Sequence, residues 1–308
     1  MKILVTGGAG FIGSNIVDAL VAKKHNVVIA DDLSTGRKEN INKKAVFCRL
    51  SVTDGKKIKT LFEKEKFNAV IHHAAQLDVR KSVIDPLFDA EVNIKGSLNI
   101  LEACKDTKVK KIIFASSGGT MYGECPGKAP DETKPANPLS PYGVAKNSVE
   151  NYIKSYSEIY GLKYTVLRYA NVYGPRQDPH GEAGVVAIFI GRMLKNEPVL
   201  IFGDGKQMRD YVFVSDVVKA NLLALTKGAN EIINIGTQTV FSVNGLVKEL
   251  SKITGYKLKP KYMPKRSGEL FRNYLSVGKA AKTLGWKPEI AIEEGLRKTV
   301  EYFVEKNK

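Results

Sequence analysis

Cysteine is scarce in this chain. Three occur in 308 residues, Cys48, Cys104 and Cys125, odd in number and far apart. They offer neither a disulfide framework nor a CxxC metal or redox pair, so a reducing cytoplasm is the expected setting. Long apolar runs are missing too. None approaches the ~20 residues that a spanning helix needs. The opening MKILVTGGAGFIGS passes from a short apolar stretch straight into glycines. It has no h-region or cleavage site, and no signal peptide is expected. Histidine is limited to His25, His72, His73 and His180, whose scatter offers no metal constellation, so no metal is expected.

Acidic residues are the minority: 32 Asp+Glu stand against 48 Lys+Arg, a formal net charge of +16. Such a balance can mark a nucleic-acid or anionic-membrane partner. Here the lysines are scattered, in pairs such as Lys23-Lys24, Lys43-Lys44 and Lys110-Lys111. No long basic block or aromatic RNA-binding motif accompanies them. A solvated basic surface is the reading, with no nucleic acid and no membrane as partner. Hydrophobic residues make up 43% and charged residues 26%, which excludes global disorder.

What is present is alternation. Ile3–Thr6, Asn26–Asp31, Ala45–Arg49, Ala69–His72, Lys111–Ser116, Thr165–Arg168 and Glu231–Ile235 read as short apolar strands. Amphipathic stretches at 13–23, 55–65, 86–106, 141–160, 215–225 and 242–254 read as helices. Strand–helix–strand alternation predicts an α/β fold of Rossmann type, a doubly wound parallel sheet. After about residue 170 segments shorten and Gly and Pro increase, which predicts a smaller C-terminal substrate-binding lobe. The expected division is residues 1–168 as a dinucleotide-binding domain, with the chain returning to it at about 212–239. Residues 169–211 and 240–308 form the lobe.

Gly7, Gly10 and Gly13 follow a strand and open a helix. Glycines there permit a tight turn and close approach of backbone to a pyrophosphate, which sits on the amide end of the helix. Asp31 ends the next strand, 18 residues after Gly13. A carboxylate at that place accepts hydrogen bonds from an adenosine ribose and repels a 2′-phosphate, which favours NAD over NADP. Tyr142 and Lys146 stand four apart and share one helix face. A phenol is a poor base at neutral pH, but an ammonium and a nicotinamide ring would both stabilise its phenolate. The hydroxyl-rich stretch Ser116-Ser117-Gly118-Gly119-Thr120 lies at a strand end beside them in this reading. Arg209 and Arg266 each flank a Gly-containing turn and suit fork-like recognition of a diphosphate.

These motifs carry a resemblance. TGGAGFIGS (6–14), DDLSTG (31–36), HHAAQ (72–76), SSGGTMYG (116–123), SPYGVAK (140–146), LRYANVYGPRQ (167–177), FGDGKQMRDYVFVSDV (202–217), KRSGE (265–269) and LGWKP (284–288) occur in order. The sequence resembles the extended short-chain dehydrogenase/reductases, and within them the UDP-glucose (UDP-galactose) 4-epimerase group, over essentially the whole chain. The resemblance implies NAD as cofactor and a UDP-sugar as substrate. It implies that Gly7, Gly10, Phe11, Ile12 and Gly13 hold pyrophosphate and that Asp31, Asp32, Ser34, Thr35 and Gly36 surround the adenosine. His73, Ala74, Ala75, Gln76, Asn93, Ser116 and Tyr169 border the cofactor, and Lys146 binds its nicotinamide ribose. One of His72 and His73 borders NAD and the other is buried. Tyr142 is the acid/base, assisted by Ser117, with Thr120 in reserve. Asn171, Gly184, Val185 and Val186 meet the substrate's diphosphate, Arg209 and Arg266 clamp it, and Glu269 binds the uridine ribose. Helices near 86–106 and 142–160 match those of a four-helix homodimer interface, with Val149, Tyr152, Ile153 and Tyr156 on the shared face.

Three departures from that group's pattern stand out. Ser51-Val52 replaces an Asp-Ile or Asp-Leu pair whose Asp touches adenine, so Ser51 inherits that contact. Gly118 stands where many relatives have serine, which moves the assisting hydroxyl to Ser117. Asn273 falls where sugar size is gated, and a small residue there would admit an N-acetyl group. Related dehydratases place Asp-Glu directly after the hydroxyl residue, and related decarboxylases a Glu in the same loop. This loop has Gly118-Gly119 instead. The expected reaction is 4-epimerisation of UDP-glucose/UDP-galactose through a 4-keto sugar. UDP-GlcNAc or UDP-glucuronate 4-epimerisation (with Arg80 or Arg176 facing a carboxylate), or another NAD-dependent nucleotide-sugar dehydratase or reductase, is the alternative. A nucleotide-sensing regulator of the same fold would have lost Tyr142 or Lys146.

Overall fold

The computed structural model describes residues 1–125, 127–180, 184–266 and 270–306. The chain begins with β1 (Lys2–Thr6), α1 (Phe11–Ala22), β2 (Asn26–Asp31), β3 (Val46–Arg49), α2 (Gly55–Glu65) and β4 (Ala69–His72). There follow α3 (Val79–Ile84), α4 (Pro86–Ala90), a π-turn over Glu91–Lys95, α5 (Gly96–Asp106), β5 (Lys111–Ser117), α6 (Gly118–Met121), α7 (Pro141–Tyr160) and β6 (Lys163–Tyr169). Next come β7 (Asn171–Tyr173), α8 (Val185–Leu194), β8 (Leu200–Phe202), β9 (Met208–Arg209), β10 (Tyr211–Phe213), α9 (Val214–Ala224) and β11 (Glu231–Ile235). The remainder is β12 (Phe241–Ser242), α10 (Val243–Thr254), β13 (Lys261–Met263), β14 (Arg272–Asn273), α11 (Gly278–Leu284) and α12 (Ile292–Lys306).

The central sheet has seven parallel strands in the order β3-β2-β1-β4-β5-β6-β11. Its inner strands are mostly apolar because both faces are covered. Alternate residues of β1 separate the two layers: Ile3 and Val5 pack on one side, Leu4 on the other. Strand order reverses between β1 and β4. That switch point opens a crevice at the carboxyl ends of the strands, where α/β proteins of this kind bind ligands. Small two- and three-stranded sheets beyond β6 join β7 to β10, β8 to β13, and β9 to β12 and β14.

Capping explains why the long α7 starts and stops where it does. The Ser140 hydroxyl accepts the Gly143 N–H at 3.2 Å, Pro141 opens the first turn, and Gly161 ends the helix at φ +71°. The helix expected over 86–106 is instead interrupted. Asp85 caps α4, and a π-turn then re-aims Asn93 before α5 resumes. Asn93 exchanges hydrogen bonds with both backbone groups of Gln76 (2.9 Å each), which compensates the irregular turn. A second departure from expectation lies on α7. The sequence reading puts Val149 and Ile153 on an exposed shared face; both are buried in the layer of core containing Phe114 and Val166. The reason is that α7 lays that stripe on the sheet. Tyr152 stays exposed and Tyr156 is half-buried. Among the described residues no helix is long and apolar enough to cross a membrane.

Candidate active site

The loop joining β1 to α1 is shaped by what its glycines lack. A Cβ on Gly13 would lie 2.1 Å from the Gly7 carbonyl oxygen, and one on Gly7 2.7 Å from the Ala74 nitrogen. Gly7 also takes φ +68°, a left-handed conformation suited to glycine. The loop therefore lies flat against the backbone after β4. Gly10 precedes α1 without a side-chain cap, and no acidic residue occupies the first turn. The free amides at Phe11 and Ile12 form an anion cradle at the positive end of the helix. These features fit the pyrophosphate of a dinucleotide.

Asp31 ends β2 beside that cradle. Its carboxylate accepts the Ala9 N–H at 2.9 Å and the Leu33 N–H at 2.8 Å, and burial raises its pKa above the usual carboxylate value. Two accepted bonds leave lone pairs for a ribose hydroxyl. Gly36 borders it so closely that a Cβ would sit 2.5 Å from Asp31 Oδ1. Asp32 holds the N–H and hydroxyl of Ser34 at 2.9 and 2.6 Å. Ser51 shares a hydroxyl contact with Thr53 at 3.0 Å, and Val52 is buried against Gly96.

The end of β4 is fixed by a one-way chain of hydrogen bonds. Thr6 Oγ1 accepts the N–H groups of His73 and Ala74, both at 3.1 Å, and so donates to His72 Nδ1 at 2.6 Å. His72 Nε2 then carries the proton and donates to Ser97 Oγ (3.0 Å), which donates to the Asn93 carbonyl (2.5 Å). Burial, with Lys146 adding to it, lowers the His72 pKa to about 3 and keeps the ring neutral. Thus His72 is the buried member of the pair. His73 stacks on Tyr169 at 5.8 Å, and Asn221 ties them together, its Nδ2 donating to Tyr169 Oη at 2.8 Å. Asn221 is absent from the sequence reading, since nothing local marks it. The Asn93 side chain bonds the Gln76 backbone, the Gln76 side chain bonds the Asp78 backbone, and both donate to Asp89, so they act as struts beneath the 73–76 loop.

α7 brings Tyr142 and Lys146 to the end of β5. The ammonium of buried Lys146 donates to the Ala115 carbonyl at 2.9 Å and lies 5.7 Å from the Tyr142 ring centre. Burial lowers its pKa to about 8, with Asp89 and Glu150 opposing the fall. Tyr142 is half-buried beside it. Burial and then the Asp89 carboxylate raise its pKa, and only a Ser117 hydrogen bond pulls it down. Desolvation is the largest of these effects. Ser82 also escapes the sequence reading. Fully buried on α3, it accepts the Tyr142 backbone N–H at 3.1 Å and donates to the Val79 carbonyl, bolting the first turn of α7 in place.

Within the 116–120 stretch the hydroxyls divide. Ser117 faces Tyr142, whereas Ser116 donates to Glu150 at 2.6 Å and so turns away. Thr120 Oγ1 is buried without a partner among the described residues. Gly118 has no room for a side chain: a Cβ would meet Leu275 Cδ1 at 2.4 Å. Gly119 is open, its nearest neighbours being Asn171, Ser117 and Asn273 at 3.8–3.9 Å from a Cβ. The Asn273 amide donates to the Gly119 carbonyl. Hence Ser117, Gly119, Asn171 and Asn273 lie side by side.

Of the lobe residues, Gly184 precedes α8 with no side-chain cap, leaving the Val185 and Val186 amides at a second helix N-terminus. Arg209 donates to the Met208 carbonyl at 2.9 Å, and the Arg266 guanidinium lies 3.7 Å above the Phe202 ring centre. Arg176 is paired with Asp18 at 2.6 Å. Glu269 lies outside the described residues.

Residues 3–236 match the model of the NAD dependent epimerase/dehydratase family. The chain belongs to that family. NAD is accordingly the cofactor of this epimerase/dehydratase family member, and its glycine cradle and Asp31 have the geometry to take it. The protein is 43% identical over 313 residues to the UDP-glucose 4-epimerase of Mycolicibacterium smegmatis, covering 100% of both chains. It is similar to the UDP-glucose 4-epimerase of Thermotoga maritima, solved with UDP-glucose, at 52% identity and a TM-score of 0.99 over 100% of both chains. The UDP-glucose 4-epimerase of Thermus thermophilus, solved with NAD, is 44% identical with a TM-score of 0.95 over 99% of each chain.

Proposed function

We propose that the chain interconverts UDP-glucose and UDP-galactose by NAD-dependent 4-epimerisation. The observation that carries this reading is the Ser117–Tyr142–Lys146 constellation beside a short α6 that has no acid at 118 or 119. An eliminating enzyme needs such an acid to protonate a leaving hydroxyl, and Leu275 closes position 118 to any side chain. Removal and return of hydride at C4 needs only one proton-transfer group.

Tyr142 Oη takes the C4 hydroxyl proton and gives it back, and Ser117 hydrogen-bonds the same oxygens and holds the sugar in line. Bound NAD supplies the hydride acceptor and, when oxidised, a positive ring charge. A positive ring beside Tyr142 would favour its phenolate against the desolvation that raises its pKa. Lys146 holds a ribose hydroxyl and the phenolate. The loop Gly7–Gly13 takes the pyrophosphate, and Asp31 with Ser34–Gly36 and Ser51–Val52 takes the adenosine. His73–Gln76 and Tyr169 line the floor. The α8 amide end at Gly184–Val186, with Asn171, Arg209, Arg266 and Glu269, receives the UDP. The lobe carrying these groups is residues 169–211 and 240–308, set beside the NAD-binding part. Incubation with UDP-glucose and no added NAD should give a mixture with UDP-galactose, and the same mixture from the other side. A 4-keto-6-deoxy product, or NADH accumulating with product, would overturn the reading.

The protein acts as a cytoplasmic homodimer in this proposal. Ile84 (84% exposed), Leu87 (82%) and Ile159 (66%), with Val144 and Tyr152, leave a broad apolar surface on α3, α4 and α7. A double change Leu87→Asp and Ile159→Asp should halve the mass seen by light scattering. An unchanged mass would place the interface elsewhere.

A further inference from the structure

Asp210 takes no part in the mechanism above, yet it is 1% exposed and lies where the small sheets of the lobe meet. It follows β9, the middle strand of the three-stranded sheet, and precedes β10, which pairs with β7. Its backbone stitches the two sheets together. The Asp210 N–H donates to the Asn273 carbonyl at 2.9 Å, and the Asp210 carbonyl accepts the Asn171 N–H at 2.9 Å. Asn171 and Asn273 are the two lobe side chains that flank Gly119 beside Ser117.

The side chain carries this junction to two further segments. Asp210 Oδ1 accepts the Thr237 N–H at 2.8 Å and the Thr237 hydroxyl at 2.6 Å. Oδ2 accepts the Gln238 N–H at 3.1 Å and the Leu275 N–H at 3.4 Å. Thr237 and Gln238 belong to the bend after β11, where Gln238 holds φ +61°. A non-glycine residue keeps that conformation only when its surroundings fix it. Gly236 leaves room for the carboxylate, since a Cβ there would lie 2.5 Å from Oδ2. Leu275 is fully buried, and its side chain is what closes position 118. Four neutral donors thus converge on one buried group, two on each oxygen. A carboxylate accepts on both oxygens and donates nothing, whereas an amide of the same shape would turn its NH₂ onto two of those donors.

We infer that Asp210 is a positioning residue that sets the width of the sugar site, by holding the 273–275 segment against Asn171 and the start of α6. The inference rests on the reading that the sugar lies beside Ser117 and Tyr142, next to Asn171 and Asn273. Both of those asparagines hang from Asp210 by backbone bonds, and Leu275 hangs from its carboxylate. Loss of the carboxylate frees the 273–275 segment to move away from Asn171, and the site widens on the Asn273 side. None of these bonds reaches the glycine loop, Asp31, Tyr142 or Lys146, so cofactor retention and proton transfer do not depend on them.

The test compares UDP-glucose with UDP-GlcNAc, which carries a bulkier N-acetyl group at C2, in wild type and D210N. In D210N the KM for UDP-glucose should rise roughly tenfold with kcat within about threefold, the pattern of lost uniform binding. Bound NAD should be retained. The ratio of kcat/KM for UDP-GlcNAc to that for UDP-glucose should rise roughly tenfold, because a wider site penalises the larger group less. A role in stability alone would lower both sugars by one factor, and an unchanged ratio overturns the inference. Thr237→Val removes one donor and leaves the carboxylate in place, so it should move the ratio in the same direction by less. Thr237→Ser keeps the hydroxyl and should hold the wild-type ratio. If D210N fails to fold and T237V leaves the ratio unmoved or fails as well, the carboxylate serves folding and the inference is overturned. A wild-type protein that converts neither sugar would overturn the proposed reaction and this inference with it. A wild type active on UDP-glucose with an unmoved ratio in D210N would overturn the Asp210 role alone.

Discussion

Tyr142→Phe is expected to lower kcat by about 10²–10⁴-fold, the span that a positioned proton-transfer group contributes. The change removes one oxygen from a ring held at three points. Ser82 fixes its backbone N–H, the capped first turn of α7 fixes its direction, and Lys146 lies 5.7 Å from its ring centre. None of these depends on the hydroxyl, so the fold, the bound NAD and the affinity for UDP should survive. The loss should appear in kcat with little change in KM, the pattern of an interaction made in the transition state. Steady-state kinetics from both sugars check this. A variant within a few-fold of the parent would remove Tyr142 from the chemistry. Raised KM with intact kcat would make it a binding group.

Gly13→Ala is expected to abolish NAD retention. The added Cβ would fall 2.1 Å from the Gly7 carbonyl oxygen and 3.1 Å from the Gly8 Cα, both of them backbone atoms. Neither β1 nor α1 can yield cheaply, because Ile3, Val5, Ile16 and Leu20 are fully buried around them. The loop must open, and the amides at Phe11 and Ile12 then leave the positions that cradle a pyrophosphate. Overpacking of this kind costs ~1–3 kcal/mol, so the protein should still fold while denaturation releases no NAD. The series is graded. Gly10→Ala meets the Gly7 oxygen at 3.2 Å and should be milder, and Gly278→Ala meets nothing within 4 Å and should be silent. Equal retention across the three would show that the cofactor does not rest on this loop.

What the sequence made legible is local. The glycine triplet, the acid at the end of β2 and the Tyr142/Lys146 pair are encoded by spacing along one turn or one helix face, and the structure brings them to one crevice. The strands of the sheet were equally legible, since short apolar runs between turns have few other uses. The missed parts depend on contacts between distant segments. Ser82 reaches Tyr142 across 60 residues, and Asn221 reaches Tyr169 across 52. Asp89 is an ordinary helical acid until a π-turn, which has no sequence period of its own, swings Asn93 beneath it. Val149 and Ile153 were misplaced for a related reason. A helical stripe declares that it is covered, not whether the sheet or a partner covers it. Spacing along a helix face counts charges and says nothing of the desolvation that raises the Tyr142 pKa in the folded chain.

The most direct test of the central claim follows hydrogen at C4. UDP-glucose carrying deuterium at that carbon is incubated with the purified protein in ordinary water, without added NAD. Hydride removed and returned inside one closed site predicts UDP-galactose with the deuterium still at C4 and no solvent hydrogen there. Deuterium lost to solvent, moved to C6 with loss of water, or left on released cofactor would contradict the account.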